Sequence, residues 1–265
     1  MLYLLKLYGL HIGYFIKADS QYKANFISGI FANFYTYLLM YLTIWILTHR
    51  FQSVAGWNYQ ELVFLMALNL FSYAVATTAL WKHYYQLGEN INNGNFDKFL
   101  IRPLHPLISM LFYGFDWTGF GQIIVSGIFL GASIFSLGID WTAYKIIVLL
   151  VCIIGGILIQ AGAMIIFGSL SFWLKKSMNL GNVLFFTLRN FINYPVSIFG
   201  GGISFVLTYI LPWAFINYYP ALYILDKPSE QNGFYLYTPV VGLFILLLSL
   251  WITNTGISKY QSVGS

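Results

Sequence analysis

The stretch that decides the fold is IIVLLVCIIGGILIQAGAMIIFGSLSFWL, residues Ile146–Leu174, which contains no charged side chain. An α-helix rises about 1.5 Å per residue, so about 20 apolar residues cross the roughly 30 Å hydrocarbon core of a bilayer. A charge at the bilayer centre costs at least ~2.5 kcal/mol on insertion scales. This stretch therefore predicts a transmembrane helix.

Five further long stretches also lack charges: Ala24–Thr48, Leu62–Trp81, Trp117–Ile139, Asn190–Leu225 and Gln231–Ser258. Only 8% of the residues are charged and 59% are hydrophobic, whereas roughly 25% of a soluble domain is charged. We therefore predict an all-α, polytopic membrane protein with a single transmembrane domain over residues 1–265. The predicted spans are residues 24–48, 60–81, 114–138, 143–173, 178–198 and 234–257.

The basic residues predict the orientation, because lysine and arginine are enriched on the cytoplasmic side of membrane proteins. With six spans and the N-terminus inside, the following fall on the cytoplasmic side: Lys6, Lys17, Lys23, Lys82, Lys98, Arg102, Lys175, Lys176 and Lys259. Only Arg50, Lys145 and Lys227 fall outside, and Arg189 is ambiguous. We expect the protein to lie in a plasma or inner membrane, with both termini in the cytoplasm. Residues 1–22 read as an amphipathic helix on the membrane surface, or alternatively as a plain cytoplasmic leader.

Glycine and proline interrupt the long uncharged stretch before the last span. Broken backbone at membrane depth is tolerated where it is buried in protein or lines a cavity. We predict that residues 199–225 form two re-entrant half-helices, about 203–211 and 213–224, with Gly200, Gly201 and Gly202 at positive φ in the tip before them. Pro212 and Pro220 are expected to bound the second half-helix. The pair would form an outer gate, or alternatively a structural lid.

Polar and small residues within the spans indicate how helices pack. Asn33, Thr36, Met40 and Thr43 lie roughly on one face of the first span, which predicts either part of a translocation path or hydrogen bonds between helices. Small residues repeat as Gly127/Gly131, Gly155/Gly162 and Gly156/Ala163. Such residues let helix backbones approach closely, either within the chain or at a subunit interface.

The sequence offers little catalytic or metal-binding chemistry. The four histidines lie at span ends on opposite sides, and no Walker loop, CxxC pair or nucleophile elbow is present. No Asp or Glu is expected to be buried within the spans, which argues against a proton-coupled pump. The basic pI is explained by residues at span ends, so nucleic-acid binding is not expected. We predict no catalytic residue, no metal site and no bound cofactor.

Residues 82–106 form the longest predicted cytoplasmic loop, KHYYQLGENINNGNFDKFLIRPLHP, which mixes apolar residues with charges of both signs. Such an element suits docking to a soluble partner, or alternatively lying on lipid headgroups. Within it, I-x-x-G-x-F-D-x-x-L-x-R-P-L starts at Ile91 and resembles a motif of ABC-2-type exporter permeases. The later Tyr194-Pro195, Ile198-Phe199, Pro212-x-Ala214-Phe215 and Tyr219-Pro220-Ala221 are similar to the end of the same family's sequences.

This resemblance implies a permease whose ATPase is a separate polypeptide. It also implies that the loop holds a coupling helix seated in a groove of an ATPase dimer, and that a second copy or a related permease completes the unit in the bilayer. The residues expected at that contact are Glu89, Ile91, Gly94, Phe96, Asp97, Leu100, Arg102 and Pro103. ATP and Mg²⁺ would be bound by the partner. The alternatives from other classes are a secondary transporter and an intramembrane lipid-modifying enzyme.

Overall fold

The computed structural model describes residue 13 and residues 23–113, 115–116, 118–174, 181–228 and 233–262. Over this part of the chain the backbone forms helices joined by turns, with no strand. The prediction of an all-α fold is confirmed. Apart from Gly13, the predicted interfacial helix lies outside the described residues.

The α-helices are α1 (Lys23–Phe51), α2 (Tyr59–Asn92), α3 (Asp97–Leu100), α4 (Pro106–Tyr113), α5 (Gly119–Ser136), α6 (Ala143–Ser169), α7 (Leu188–Phe191), α8 (Gly201–Phe205), α9 (Ala214–Ile224) and α10 (Thr238–Lys259). A π-helical turn, Asn182–Thr187, runs into α7, and a second, Val206–Ile210, continues α8. Short 3₁₀ turns lie at Leu170–Phe172, Val196–Ile198 and Phe234–Tyr237.

Five helices in the described part of the chain are long and apolar enough to cross a membrane: Ile27–Phe51, Tyr59–Asn92, Gly119–Ser136, Ala143–Phe172 and Phe234–Lys259. The half-helices Gly201–Ile210 and Ala214–Ile224 meet at a bend of 105° and would give a sixth if counted together. The polytopic membrane architecture predicted from the charge-free stretches is therefore confirmed.

Two segments differ from their predicted bounds. Helix α2 continues past Trp81 to Asn92, because nothing in the sequence stops it before Asn93. The predicted fifth span, 178–198, is described from Gly181, and its helix ends at Phe191. Proline disfavours helical geometry in the residue before it, so Tyr194-Pro195 explains why the helix does not reach Ile198.

Helix α2 lies at the centre of the fold. It packs against α5 and α6 along much of its length and also against α1 and α9. Its buried side chains include Phe64, Leu65 and Leu68, none more than 1% exposed. Its first turn is fixed by a capping box, in which Asn58 Oδ1 accepts from the Glu61 amide and Glu61 Oε2 accepts from the Asn58 amide.

The small residues of α6 bring α10 close. A Cβ on Gly162 would lie 3.0 Å from the backbone of Ile245, and one on Gly155 would lie 2.9 Å from Thr238 O. The repeat Gly155/Gly162 therefore packs within the chain. In α5, by contrast, a Cβ on Gly131 would meet nothing within 4 Å, so the GxxxG pair there is not a close helix contact in this chain.

The two ends of the bundle are held by different chemistry. At one, called the Asp97 end, the last turns of α2, α6 and α10 meet α3 and α4 through aromatic and aliphatic side chains. At the other, called the Asp226 end, Lys145 Nζ lies 2.6 Å from Asp226 Oδ2 and Lys227 Nζ lies 2.7 Å from Glu61 Oε2. Helices α2, α6 and α10 therefore run in the same direction, each ending at the Asp97 end.

Substituting Gly162→Ala should destabilise the chain, because the added methyl must push against the Ile245 backbone. Overpacking of this kind costs about 1–3 kcal/mol. The matched control is Gly131→Ala, where the methyl has open space and alanine favours the helix. Thermal unfolding in detergent measures both. Equal melting temperatures for the two variants would contradict the observed α6–α10 contact.

Candidate functional site

The predicted coupling loop, 82–106, is an elbow rather than an open loop. Helix α2 runs to Asn92, the chain reverses at Asn93–Phe96, and α3 and α4 follow. The reversal is closed by a hydrogen bond of 2.9 Å from the Phe96 amide to Asn90 O. Gly94 has φ of +71°, in the left-handed region, which explains why this position is a glycine.

Phe96 fixes the elbow to the bundle. Its side chain is fully buried and packs edge-on against Tyr260, with ring centroids 4.8 Å apart, and against Phe172 at 5.3 Å. Tyr260 follows α10 and Phe172 follows α6. Leu87, Ile91, Phe99 and Met110 complete this Phe96 cluster. A displacement of the elbow must therefore displace the ends of α2, α6 and α10.

The C-terminal segment forms a second contact with the elbow. Ser262 Oγ donates to Asp97 Oδ2 at 2.5 Å. Burial and the neighbouring Asp97 carboxylate raise the pKa of Tyr260, so its phenol stays protonated. Asp97, expected to face a partner, is thus already bonded within the chain.

The residues predicted for coupling divide into two groups. Ile91 and Phe96 are buried in the Phe96 cluster. Leu100 is 41% exposed, Ile101 is 85% exposed, and Glu89 and Pro103 are also exposed. The guanidinium of Arg102 lies 5.7 Å from the Phe99 ring centroid. We call Leu100, Ile101 and Pro103 the apolar patch of the elbow; Ile101 was not among the predicted residues.

The residues predicted for a translocation path also divide. Thr36 and Thr43 are exposed and donate to carbonyls of their own helix, Ala32 O and Leu39 O, both at 2.9 Å. Met40 is partly buried against the core. Asn33 is the member that faces polar groups: its Nδ2 donates to Thr118 O at 3.1 Å, and its Oδ1 accepts from Gln122 Nε2 at 2.8 Å.

Asn33 lies on a polar cavity of about 130 Å³ between α1, α2 and α5. The lining residues are Asn33, Tyr73, Thr77, Trp81, Asp116, Thr118, Gly119 and Gln122. A cavity needs only about 10–15 Å³ of this measure to hold one water, so this one has room for a small polar group. Gln122 and Asp116 were not among the predicted residues. The prediction used the polar residues on one face of the first span, whereas the cavity is lined by residues from several segments.

A second polar group lies deeper in the bundle, around Asn69 of α2. Asn69 Nδ2 donates to Asn193 Oδ1 at 2.7 Å, and Gln160 Nε2 donates to Asn69 O at 3.1 Å. Arg189 is also buried here, with its guanidinium 3.9 Å from the centroid of the Tyr73 ring. The sequence left the position of Arg189 open, since it borders a charge-free stretch and could have marked a span end.

The half-helices break where proline predicted. Pro212 lies between the π-helical turn and α9, and Trp213 beside it packs 5.6 Å from Phe185, well inside the bundle. Helix α9 then returns to the Asp226 end. The prediction that Pro220 bounds this helix is wrong, because Pro220 lies inside α9.

The positive φ expected of the three glycines before α8 is not observed. Gly200 has φ of −59°, and neither Gly201 nor Gly202 has a positive φ. A Cβ on any of them would meet nothing within 4 Å. These glycines are therefore not required by backbone geometry or by packing in this conformation. Gly201 lines a groove of about 350 Å³ together with Tyr209, Tyr218 and Tyr219.

Substituting Phe96→Ala should cost about 3–5 kcal/mol of unfolding free energy in the isolated chain, because a fully buried aromatic ring is removed from the Phe96 cluster. Leu100→Ala, four residues further on, should change it by no more than about 0.5 kcal/mol. Unfolding in mixed detergent micelles measures both. If Phe96→Ala unfolds like the unaltered chain, the elbow is not held by this cluster.

A family model described as "ABC-2 family transporter protein" matches residues 34–264. No curated protein and no solved structure matches the chain. The matched region contains the elbow, both half-helices and all of the cavity lining except Asn33, and it covers well over half of the sequence. The chain therefore belongs to the ABC-2 family of transporter proteins.

Proposed function

We propose that this chain is the membrane-spanning permease subunit of an ATP-driven exporter and works with an ATPase on a separate polypeptide. Family membership supports a transporter subunit. The observation that carries the finer proposal is the apolar patch of the elbow, in which Ile101 is 85% exposed. Exposed apolar patches outside the hydrocarbon core are typical of protein contacts.

The position of the patch supports a soluble partner over lipid tails. The uncharged part of α2 ends at Lys82, and the helix continues ten residues to Asn92. Those ten residues rise about 15 Å, which carries the elbow out of the hydrocarbon core. Lys98 and Arg102 flank the patch. A surface with an apolar centre and charged neighbours suits a groove on another protein.

The proposed mechanism is alternating access. ATP binding closes the partner ATPase dimer, and the elbow moves with it. The Phe96 cluster passes that movement to α2, which borders the cavity, and to α6 and α10, which contact the half-helix α9. Each state must differ in its contacts with the partner, since a ligand shifts an equilibrium only by its differential affinity. ATP and Mg²⁺ are bound by the partner.

The working unit in this proposal contains two permeases, either two copies or this chain and a related one, in the plasma or inner membrane. Helix α1 supports this, because it leaves a broad apolar face that includes Tyr35, Leu39 and Ile46 exposed within the monomer. Lipid covers whatever part of that face the second permease does not. The half-helices act as the outer gate.

The orientation can be tested by cysteine labelling in a Cys152→Ala background. Lys82, Lys98, Arg102 and Lys259 lie at or near the Asp97 end, so we expect that end in the cytoplasm. A membrane-impermeant maleimide should label Asp140→Cys in sealed cells and should label Asn95→Cys only after permeabilisation. Labelling of both from outside, or the reverse pattern, would refute the proposed orientation.

The coupling contact can be tested by Ile101→Asp, which places a charge in the centre of the apolar patch. Loss of a central interface residue typically costs about 2 kcal/mol or more, so the permease should bind its ATPase roughly 30-fold more weakly. Affinity-purified complexes would be assayed for ATP hydrolysis and for photolabelling by an azido-ATP, which should mark the partner polypeptide.

The matched control is Asn95→Asp, which adds the same charge to the same elbow at an exposed polar position. It should leave the complex intact. Equal loss in both variants would show a general effect of charge. An unaffected complex in Ile101→Asp would return the patch to the alternative of a helix lying on lipid headgroups.

A further inference from the structure

Arg189 is a buried cation near the middle of the membrane. Only 4% of its surface is exposed, and its guanidinium lies 3.9 Å from the centroid of the Tyr73 ring. Tyr73 follows Glu61 by 12 residues and precedes Lys82 by 9, distances of about 18 Å and 14 Å along α2. Since these two charges bracket the uncharged part of α2, Tyr73 and Arg189 lie close to the bilayer midplane.

The contacts of Arg189 are weak for a buried charge. Its Nη1 donates to Asn69 Oδ1 at 3.4 Å and its Nη2 to Asn190 Oδ1 at 3.5 Å, both long for charge-assisted bonds. Its Nε has no hydrogen-bond partner among the described residues. The ion pairs found among the described residues are Lys145–Asp226 and Lys227–Glu61, and both lie at the Asp226 end. Among the residues that the structure describes, the positive charge is balanced only by neutral amides and an aromatic face.

Burying a charge without a counter-charge is costly, and intramembrane cations are typically paired or line a substrate path. The cavity of about 130 Å³ lies next to this group, because Tyr73 both lines the cavity and carries the guanidinium on its ring. Asn33, Thr77 and Gln122 add amide and hydroxyl groups to the cavity wall. Its one acidic member, Asp116, already accepts from the Thr118 amide and hydroxyl at 3.0 and 2.9 Å.

We propose that Arg189 is the counter-charge for an anionic group, a carboxylate or a phosphate, on the molecule that the chain transports. The anion enters the cavity beside Tyr73, and Tyr73 gives up its place against the guanidinium. The ring holds the charge by a cation–π contact while the site is empty. This inference deepens the proposed function and rests on it for the identity of the bound molecule as cargo. The requirement for an anion follows from Arg189 itself.

The test uses the full-length chain in detergent, without ATP or a partner. The probe is a short-chain carboxylate with bromine at its tail, compared with its trimethylammonium analogue of equal chain length. Bromine quenches tryptophan fluorescence on contact, and Trp81 lines the cavity. We expect saturable quenching by the carboxylate probe and only non-saturable partitioning by the cationic one. Trp81→Phe should remove the saturable part.

Arg189→Met should weaken saturable binding of the carboxylate probe by about tenfold or more, as expected for losing a charged hydrogen-bond donor. Arg189→Lys should retain part of the affinity. The matched control is Lys145→Met, which removes a buried cation at the Asp226 end and should leave the probe affinity unchanged. Inorganic phosphate and phosphatidylglycerol would be added as competitors. Displacement by phosphate indicates a small free anion, and displacement by the lipid alone indicates an amphiphilic one.

Equal quenching of the unaltered chain and Arg189→Met would overturn the inference, and so would saturable binding of the cationic probe. Equal weakening in Lys145→Met would also overturn it, because the effect would then reflect net charge. If anion binding holds but no ATPase associates with the chain, the proposed function fails and the anion site stands. If an ATPase associates and anion binding is absent, only the anion site fails.

Discussion

The fold depends on one constraint, the enclosure of α2 by protein along its length. A helix in lipid satisfies its own backbone, so its side chains alone determine what it holds together. The side chains of α2 join three levels of the molecule: Glu61 pairs with Lys227 at one end, Asn69 and Tyr73 hold the polar groups near the middle, and Leu87 and Ile91 enter the Phe96 cluster. The cavity, the buried arginine and the elbow are thus positioned by a single helix.

The membrane architecture could be predicted from the sequence, because the cost of burying charge sets where charges are absent. The rule that charges lie outside the spans fails for Arg189, which is buried in the bundle. Arg189 looked like a boundary residue because charges were used to mark boundaries, and its burial depends on α2 and α6 supplying Asn69, Tyr73 and Gln160 from far away in the chain. No local pattern around Arg189 encodes those contacts.

The elbow shows a different limit. Its apolar residues and Arg102-Pro103 identified a compact element, but no local pattern indicates that Phe96 is buried and Ile101 exposed. That division follows from the reversal at Gly94 and from Phe172 and Tyr260, which arrive from α6 and α10. Proline was similarly informative only in part. Pro212 marks the break between the half-helices, whereas Pro220 is accommodated within α9. The Ile216 carbonyl, to which Pro220 has no N–H to donate, lies beside Gly156 of α6.

Helix α2 extends further from Tyr73 towards the Asp97 end than towards the Asp226 end. From Tyr73, near the midplane, the helix continues for 19 residues to Asn92, a distance of about 28 Å. At a helical rise of about 1.5 Å per residue, a tilt of about 10° around Tyr73 would move the elbow by about 5 Å. The side chains next to Tyr73 would be displaced far less. A rigid tilt turns every part of α2 through the same angle, so the displacement of a side chain grows with its distance from Tyr73 and is greatest at the elbow.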